Sequence, residues 1–144
     1  MLKQLDSSIA IGSDWEENDL KNLWVQGYKT VIDLSTPPEG KQIDQAIVQG
    51  LGFTYINFPV SARNLDAQIF TDFKSLCQSS PAPVYIYCPN GLRSGVFGLM
   101  LLADSKGFTE EQYLEEFATL GIDQKPDCPL RSFSHQWFSC KTAQ

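Results

Sequence analysis

The sequence predicts an α/β protein in which helices cover both faces of a mostly parallel sheet. Apolar, β-branched segments such as TVIDLS and VYIY alternate along the chain with segments whose apolar residues recur at helical spacing. The chain has 144 residues, of which 42% are hydrophobic and 19% charged, as expected for one domain with its own core. We therefore expect a three-layer α/β/α arrangement with four or five strands, formed by residues 1–144 as a single domain.

The first elements are a short strand, a helix and a central strand. The first strand spans Ser8–Ile11, and Asp14 offers an N-cap for a helix that ends near Gly27. One face of this helix carries Leu20, Leu23 and Trp24. The segment Thr30–Ser35 is β-branched and apolar, which favours a central strand, and PPEG at 37–40 turns the chain.

A second helix and a third strand follow this turn. The helix is predicted at Gln42–Gln49 and is closed by Gly50 and Gly52. Its inward-facing residues are Ile43, Ala46 and Ile47. The segment FTYINFPV at 53–60 alternates only weakly between apolar and polar residues, so we expect a strand that is buried on both faces.

The alternation continues in the second half of the chain. After the loop SARNLD at 61–66, a helix is predicted at Ala67–Cys77, with an apolar stripe of Ile69, Phe70, Phe73, Leu76 and Cys77. The next strand is Val84–Tyr87, and a helix beyond Arg93 extends to about Ser105.

One more helix and a tail complete the chain. Thr109 and Gln112 have the spacing of a capping box, which predicts a helix over TEEQYLEEF. The tail, about 123–144, contains Pro126 and Pro129, and we expect it to be irregular and to wrap the surface.

Charge and composition exclude several classes of function. The formal net charge is −6 and no run of lysine or arginine occurs, so nucleic acid and anionic membranes are not expected as partners. The opening MLKQLDSSIAIGSDW has no continuous apolar stretch, which indicates neither a signal peptide nor a membrane span and favours a cytoplasmic protein. Nothing in the sequence indicates an oligomeric state.

Disulfide and metal chemistry are not expected either. No CxxC pair occurs, the only histidine is His135, and the cysteines are Cys77, Cys88, Cys128 and Cys140. Without an export signal, free thiols are the expected state of these cysteines. We therefore predict no metal site and no cofactor.

The segment from Cys88 to Ser94 carries the predicted chemistry. Sheets of this class bind ligands beyond the carboxyl ends of their strands, where Cys88 is expected to lie. Backbone N–H groups of residues 90–94 can surround an oxyanion, because Gly91 permits the turn and the following helix adds a partial positive charge. Arg93 can hold two anion oxygens with its planar fork, and this positive environment favours the Cys88 thiolate. The segment thus predicts a nucleophile beside an oxyanion site whose binding residues are Asn90, Gly91, Leu92, Arg93 and Ser94.

The loop YCPNGLRS resembles the active-site loop of cysteine-dependent phosphatases and of rhodaneses. Over about residues 4–122 the chain is similar to the DUF442 or beta-lactamase-hydrolase-like phosphatase domains. The similarity lies in the opening QLDSSIAIGSDWEENDLKNLWVQGYKTVIDL, the strand ending INFPV and the Cys-x-x-Gly-x-Arg-Ser loop. The resemblance implies a protein-tyrosine-phosphatase-like fold and hydrolysis of a phosphomonoester, on either a small molecule or a phosphoprotein.

The same resemblance assigns roles to residues of the loop. It implies that Cys88 attacks phosphorus to form a cysteinyl phosphate, while Arg93 and the loop amides hold the oxygens of the transition state. It also implies that the Ser94 hydroxyl eases the departure of the sulfur. Dual-specificity phosphatases place an aspartate general acid after the strand that corresponds to INFPV, and Asp66 is the only carboxylate in that loop. Asp66 is therefore the candidate acid, although its place before Ala67 also suits a helix N-cap.

Asp33 and Glu39 are secondary candidates for the edge of the site, and for both a capping or surface role is more common.

Two other functions remain open. Four residues separate Cys88 from Arg93, as in rhodaneses and also in DUF442 domains, so Cys88 could instead carry a persulfide as in a sulfurtransferase. A non-catalytic oxyanion-binding module is the other alternative, because Pro89 removes one N–H from the loop. A helix over GFTEEQYLEEFATLGI after the loop helix is typical of the phosphatases.

Overall fold

A five-stranded sheet forms the centre of the computed structural model, which describes residues 1–142. In chain order the strands are β1 Leu2–Gln4, β2 Ile9–Gly12, β3 Thr30–Asp33, β4 Thr54–Asn57 and β5 Val84–Tyr87. Their order across the sheet is β1-β2-β5-β3-β4, with β1 antiparallel to β2 and every other pair parallel. The predicted mostly parallel sheet is confirmed.

Helices cover both faces of this sheet. They are α1 Glu17–Val25, α2 Gln45–Gly50, α3 Ala67–Ser79, α4 Leu92–Lys106, α5 Glu110–Ala118 and α6 Pro129–Thr142. Because side chains alternate along a strand, Ile86 contributes to the core shared with α3 to α6, while Tyr85 contributes to the core shared with α1 and α2. The three-layer α/β/α arrangement is therefore present.

The predicted irregular tail at 123–144 is wrong for most of its length. Residues 129–142 form α6, which buries Leu130, Phe133 and Phe138 against the core. Pro129 is the first residue of this helix, a position where a proline loses no hydrogen bond and already has a helical φ. The prolines therefore mark the beginning of a helix, and only the segment before Pro129 is irregular. Residues 143 and 144 lie outside the described residues.

Three other sequence predictions need correction. The segment at 53–60 contains an edge strand, β4, whose residues are exposed or only partly buried, because no strand lies beyond it. The short strand β1 was not predicted, since three residues of mixed polarity carry no clear pattern. The helix α2 begins only at Gln45, with Asp44 as its cap and Val48 as its buried residue.

No helix within residues 1–142 is long and apolar enough to cross a lipid bilayer.

Candidate active site

Cys88 lies directly after β5 and is fully buried. The helix α4 begins four residues later at Leu92, and the turn between them passes through Gly91 at a φ of +82°. A left-handed conformation of this kind is strained for residues that carry a Cβ, so glycine is required at this position. The predicted strand, loop and helix are thus arranged with the cysteine at the carboxyl edge of the sheet.

Three groups surround the sulfur of Cys88. The backbone N–H of Ser94 donates to Sγ at 3.3 Å, and the Ser94 Oγ lies 3.5 Å from Sγ. The Oδ1 of Asn90 lies 3.6 Å from Sγ and can accept a hydrogen bond from the thiol. The Ser94 hydroxyl also donates to the carbonyl of Gly12 at 3.0 Å, which ties the start of α4 to β2. Sγ therefore has one fixed donor and two adjacent oxygen atoms.

Three backbone N–H groups of the loop, those of Asn90, Gly91 and Arg93, have no acceptor within the described residues. The N–H of Leu92 is bonded to the Asn90 side chain, that of Ser94 is bonded to Sγ, and residue 89 is a proline. The free donors lie at the N-terminus of α4, where the helix dipole adds a partial positive charge. Such an arrangement can hold a tetrahedral anion beside the sulfur.

The guanidinium of Arg93 is turned into the protein and only 14% of its side chain is exposed. Its Nη1 and Nη2 donate to Oε1 and Oε2 of Glu39 at 2.7 and 2.8 Å, and Nη1 also donates to the carbonyl of Val60 at 2.9 Å. The Nε–H has no acceptor within the part of the chain that the structure describes. The guanidinium also interacts with the Cys88 side chain, both through its charge and through hydrogen bonding, so Arg93 lies beside the sulfur. One edge of Arg93 is therefore fixed, while the Nε edge is available to an anion.

The contact with Arg93 stabilises the ionised form of Glu39. The hydrogen bonds from the Arg93 guanidinium lower the pKa of Glu39 from an ordinary value of 4.5 to about 2. Bonds from Thr36 act in the same direction and close a capping box around the short 3₁₀ turn at Pro37–Glu39. The carboxylate is thus charged at all physiological pH values. The sequence places Glu39 in a turn, and only the structure brings it to Arg93.

Asp33 holds the loop that carries Glu39. It is fully buried, its Oδ1 accepts from the N–H and hydroxyl of Ser35, and its Oδ2 accepts from the Ile43 N–H and the Tyr55 hydroxyl. These four bonds satisfy the carboxylate and join both ends of the loop at 34–43. Burial and the neighbouring Asp33 raise the pKa of Tyr55, so this hydroxyl stays a donor.

Two side chains make further contacts with this loop. The Tyr87 hydroxyl donates to the carbonyl of Lys41 at 3.0 Å, and Asn57 Nδ2 donates to the carbonyls of Asp33 and Ser35. Tyr87 and Asn57 end the strands β5 and β4, so both contacts come from the carboxyl edge of the sheet. The Glu39 loop is consequently fixed to the same edge as Cys88.

The structure places Asp66 at the N-cap of α3, where its Oδ1 accepts from the N–H of Ile69 at 2.9 Å. Asp66 lines two surface cavities, and neither of them contains Arg93. The cavity that does contain Arg93 has a volume of about 90 Å³ and no carboxylate, and it is lined by Val60, Ser61, Ala62, Leu65, Cys128, Pro129 and Leu130. The cap is observed, and the role of Asp66 as general acid stays a prediction.

Cys77 lies at the opposite end of β5 from Cys88. Cys77 lines a cavity with Ile9 and Val84, the first residues of β2 and β5, whereas Cys88 follows the last residue of β5. Burial raises the pKa of the Cys77 thiol to about 12. All four cysteines are free, and no cluster of potential metal ligands occurs within residues 1–142.

The fold is that of the protein-tyrosine-phosphatase-like class, and the predicted likeness to DUF442 phosphatases is confirmed at the level of the fold. Among solved structures the chain is similar to TpbA of P. aeruginosa, with a TM-score of 0.80 and 17% sequence identity over 99% of this chain and 91% of that one. A variant of human DUSP28 gives a TM-score of 0.74 at 16% identity, over 99% of this chain and 97% of that one. For a DUF442 protein of Shewanella putrefaciens CN-32 the TM-score is 0.69 at 20% identity, over 97% and 91% of the two chains. No family model and no curated protein matches the sequence.

Proposed function

We propose that this protein is a cysteine-dependent phosphatase that hydrolyses a phosphomonoester through a cysteinyl-phosphate intermediate. The observation that carries the proposal is the arrangement of Arg93, whose Nη atoms are held by Glu39 while its Nε edge has no acceptor in the described chain. A guanidinium fixed in this way can bind two oxygens of a phosphoryl group beside Cys88. The fold shared with TpbA and DUSP28 supports the same reaction class.

The proposed reaction has two displacements at phosphorus. The Cys88 thiolate attacks phosphorus, an S–P bond forms, and the P–O bond to the leaving group breaks with its electron pair on oxygen. Water then attacks the cysteinyl phosphate, the S–P bond breaks, and phosphate and the thiolate are released. In both steps the free N–H groups of Asn90, Gly91 and Arg93 stabilise charge on the phosphoryl oxygens. Ser94, 3.5 Å from Sγ, can turn its hydroxyl toward the departing thiolate.

The surroundings of Arg93 favour substrates with a good leaving group. The adjoining cavity is almost wholly apolar and contains no carboxylate that could protonate the leaving oxygen. Aryl phosphates, whose phenolate oxygens need little protonation, are therefore the substrates of choice. TpbA has been solved in complex with pTyr, which supports a phosphorylated small molecule or a phosphoprotein as the substrate class here.

Hydrolysis of p-nitrophenyl phosphate by wild type, Cys88→Ser and Cys140→Ser tests the proposal. Cys140 is exposed on α6, so its variant controls for the loss of a thiol as such. We expect activity in wild type and in Cys140→Ser and none in Cys88→Ser, because serine is a far weaker nucleophile at neutral pH. Activity that survives Cys88→Ser would contradict the mechanism.

A parallel assay distinguishes the two alternative functions. Transfer of sulfur from thiosulfate to cyanide without phosphatase activity would identify a sulfurtransferase, which the four-residue spacing between Cys88 and Arg93 allows. Phosphate binding without either activity would identify an oxyanion-binding module.

A further inference from the structure

The side chain of Asn90 is folded back into the loop that surrounds Cys88. Its Oδ1 accepts a hydrogen bond from the N–H of Leu92 at 3.0 Å and lies 3.6 Å from the Cys88 sulfur. The N–H of Leu92 and the sulfur of Cys88 thus both lie beside one oxygen atom of the protein, the Oδ1 of Asn90. This is the arrangement that an oxygen of a bound tetrahedral anion would adopt, because such an oxygen also accepts from a loop amide close to the sulfur.

The hydrogen bond to Asn90 keeps the backbone N–H of Leu92 from binding an anion. The N–H groups of Asn90, Gly91 and Arg93 have no acceptor within residues 1–142, whereas the equivalent group of Leu92 is occupied. Pro89 supplies no N–H. The Leu92 N–H is therefore the one further loop donor that could reach an anion if the Asn90 side chain moved away. Asn90 is exposed, and its side chain can rotate into solvent without repacking the core.

Ionisation of Cys88 acts on Asn90 and Ser94 differently. The Ser94 hydroxyl can rotate from the Gly12 carbonyl and donate to a thiolate. The Asn90 oxygen cannot donate, and turning the carboxamide over would place its NH₂ against the N–H of Leu92. Formation of the thiolate and entry of an anion therefore both disfavour the inward position of Asn90.

We propose that the Asn90 carboxamide is an internal ligand of the oxyanion loop, which a tetrahedral dianion must displace before Leu92 becomes a fourth backbone donor. The inference rests on the proposed function, since it concerns the same loop. It makes Asn90 a residue that lowers anion affinity in the resting protein. Its removal consequently strengthens anion binding, the opposite of what the loss of a substrate-binding side chain would do.

Titration calorimetry with tungstate, a tetrahedral dianion that is not hydrolysed, tests the proposal on wild type, Asn90→Ala and Asn22→Ala. Asn22 is exposed on α1 and serves as the matched control. We expect Asn90→Ala to bind tungstate roughly 2- to 10-fold more tightly than wild type, the effect of removing one competing hydrogen bond. Asn22→Ala should bind as wild type does. Alkylation of Cys88 by iodoacetamide should also be faster in Asn90→Ala, because one contact to the thiol is lost.

The outcomes separate this inference from the proposed function. Equal or weaker tungstate binding by a folded Asn90→Ala would overturn the inference alone, because wild type would still bind. Absence of binding in both proteins would overturn the phosphatase proposal as well. If Asn90→Ala does not fold, Asn90→Gly takes its place. In wild type, the NMR signals of the Asn90 side-chain NH₂ and the Leu92 amide should both shift on addition of tungstate, and unchanged signals would also overturn the inference.

Discussion

Both carboxylate oxygens of Glu39 accept hydrogen bonds from Arg93, Oε1 from Nη1 at 2.7 Å and Oε2 from Nη2 at 2.8 Å. This bidentate pair joins the loop after β3 to the first turn of α4. Since the pair fixes the plane of the guanidinium, it determines which edge of Arg93 faces the sulfur of Cys88. Glu39 is therefore a positioning residue of the proposed phosphatase site.

Replacement of Glu39 should impair catalysis through Arg93. In Glu39→Gln one side-chain oxygen becomes an NH₂ that cannot accept from the guanidinium, so the bidentate pair is lost. We expect kcat for p-nitrophenyl phosphate to fall by about 10- to 100-fold, the range for a misplaced catalytic group. Glu17→Gln, which removes a surface partner of Lys21, is the control. Unchanged kcat in Glu39→Gln would show that Arg93 needs no such support.

The stability that Glu39 contributes should depend on pH. The pKa of Glu39 is about 2 in the folded protein and 4.5 ordinarily, so the unfolded chain binds a proton more readily. The contribution is thus fully present above about pH 4.5 and is lost as the pH falls through about 2. Urea unfolding of wild type and Glu39→Gln should show a difference at pH 7 that narrows below pH 4.5. A difference that stays constant down to pH 3 would contradict the ionised pair.

Asp33 should matter for both stability and activity. Asp33→Asn replaces an acceptor of two hydrogen bonds with a donor, which leaves buried groups of the Glu39 loop without partners. We expect the free energy of unfolding to fall by about 2 kcal/mol, as for hydrogen bonds to a charged group. Denaturant unfolding measures this, with the exposed Asp72→Asn as the control. A stable variant with full activity would show that the loop does not depend on Asp33.

Asp66 can be tested by one substitution that separates its two roles. Asparagine is as good an N-cap as aspartate but cannot protonate a leaving group. We expect Asp66→Asn to keep the thermal midpoint, because asparagine can also cap α3, and to keep kcat if capping is the only role of Asp66. Asp66→Ala should lose about 1 kcal/mol of stability. A large loss of kcat in Asp66→Asn, with the thermal midpoint unchanged, would identify Asp66 as the general acid.

Features that depend on neighbours along the chain could be predicted from the sequence. The strand Val84–Tyr87 lies where its apolar run predicts it, and Thr109 with Gln112 forms the predicted capping box. Two further local features could be predicted in the same way. They are the requirement for glycine at Gly91 and the position of Cys88 at the end of a strand. Turn chemistry, capping and strand patterning act over a few residues, so the sequence expresses them directly.

Contacts between segments that are distant in the sequence could be found only from the tertiary structure. The sequence by itself determined the order of strands and helices along the chain from β2 to α5, together with the Cys88 loop, because local hydrogen bonding and apolar spacing specify them. Only the fold made β4 an edge strand and gave the segment after Pro129 a core surface on which to form α6. Only the fold brought Glu39 to Arg93 across 54 residues, because the ends of parallel strands meet at one edge whatever their separation in the chain.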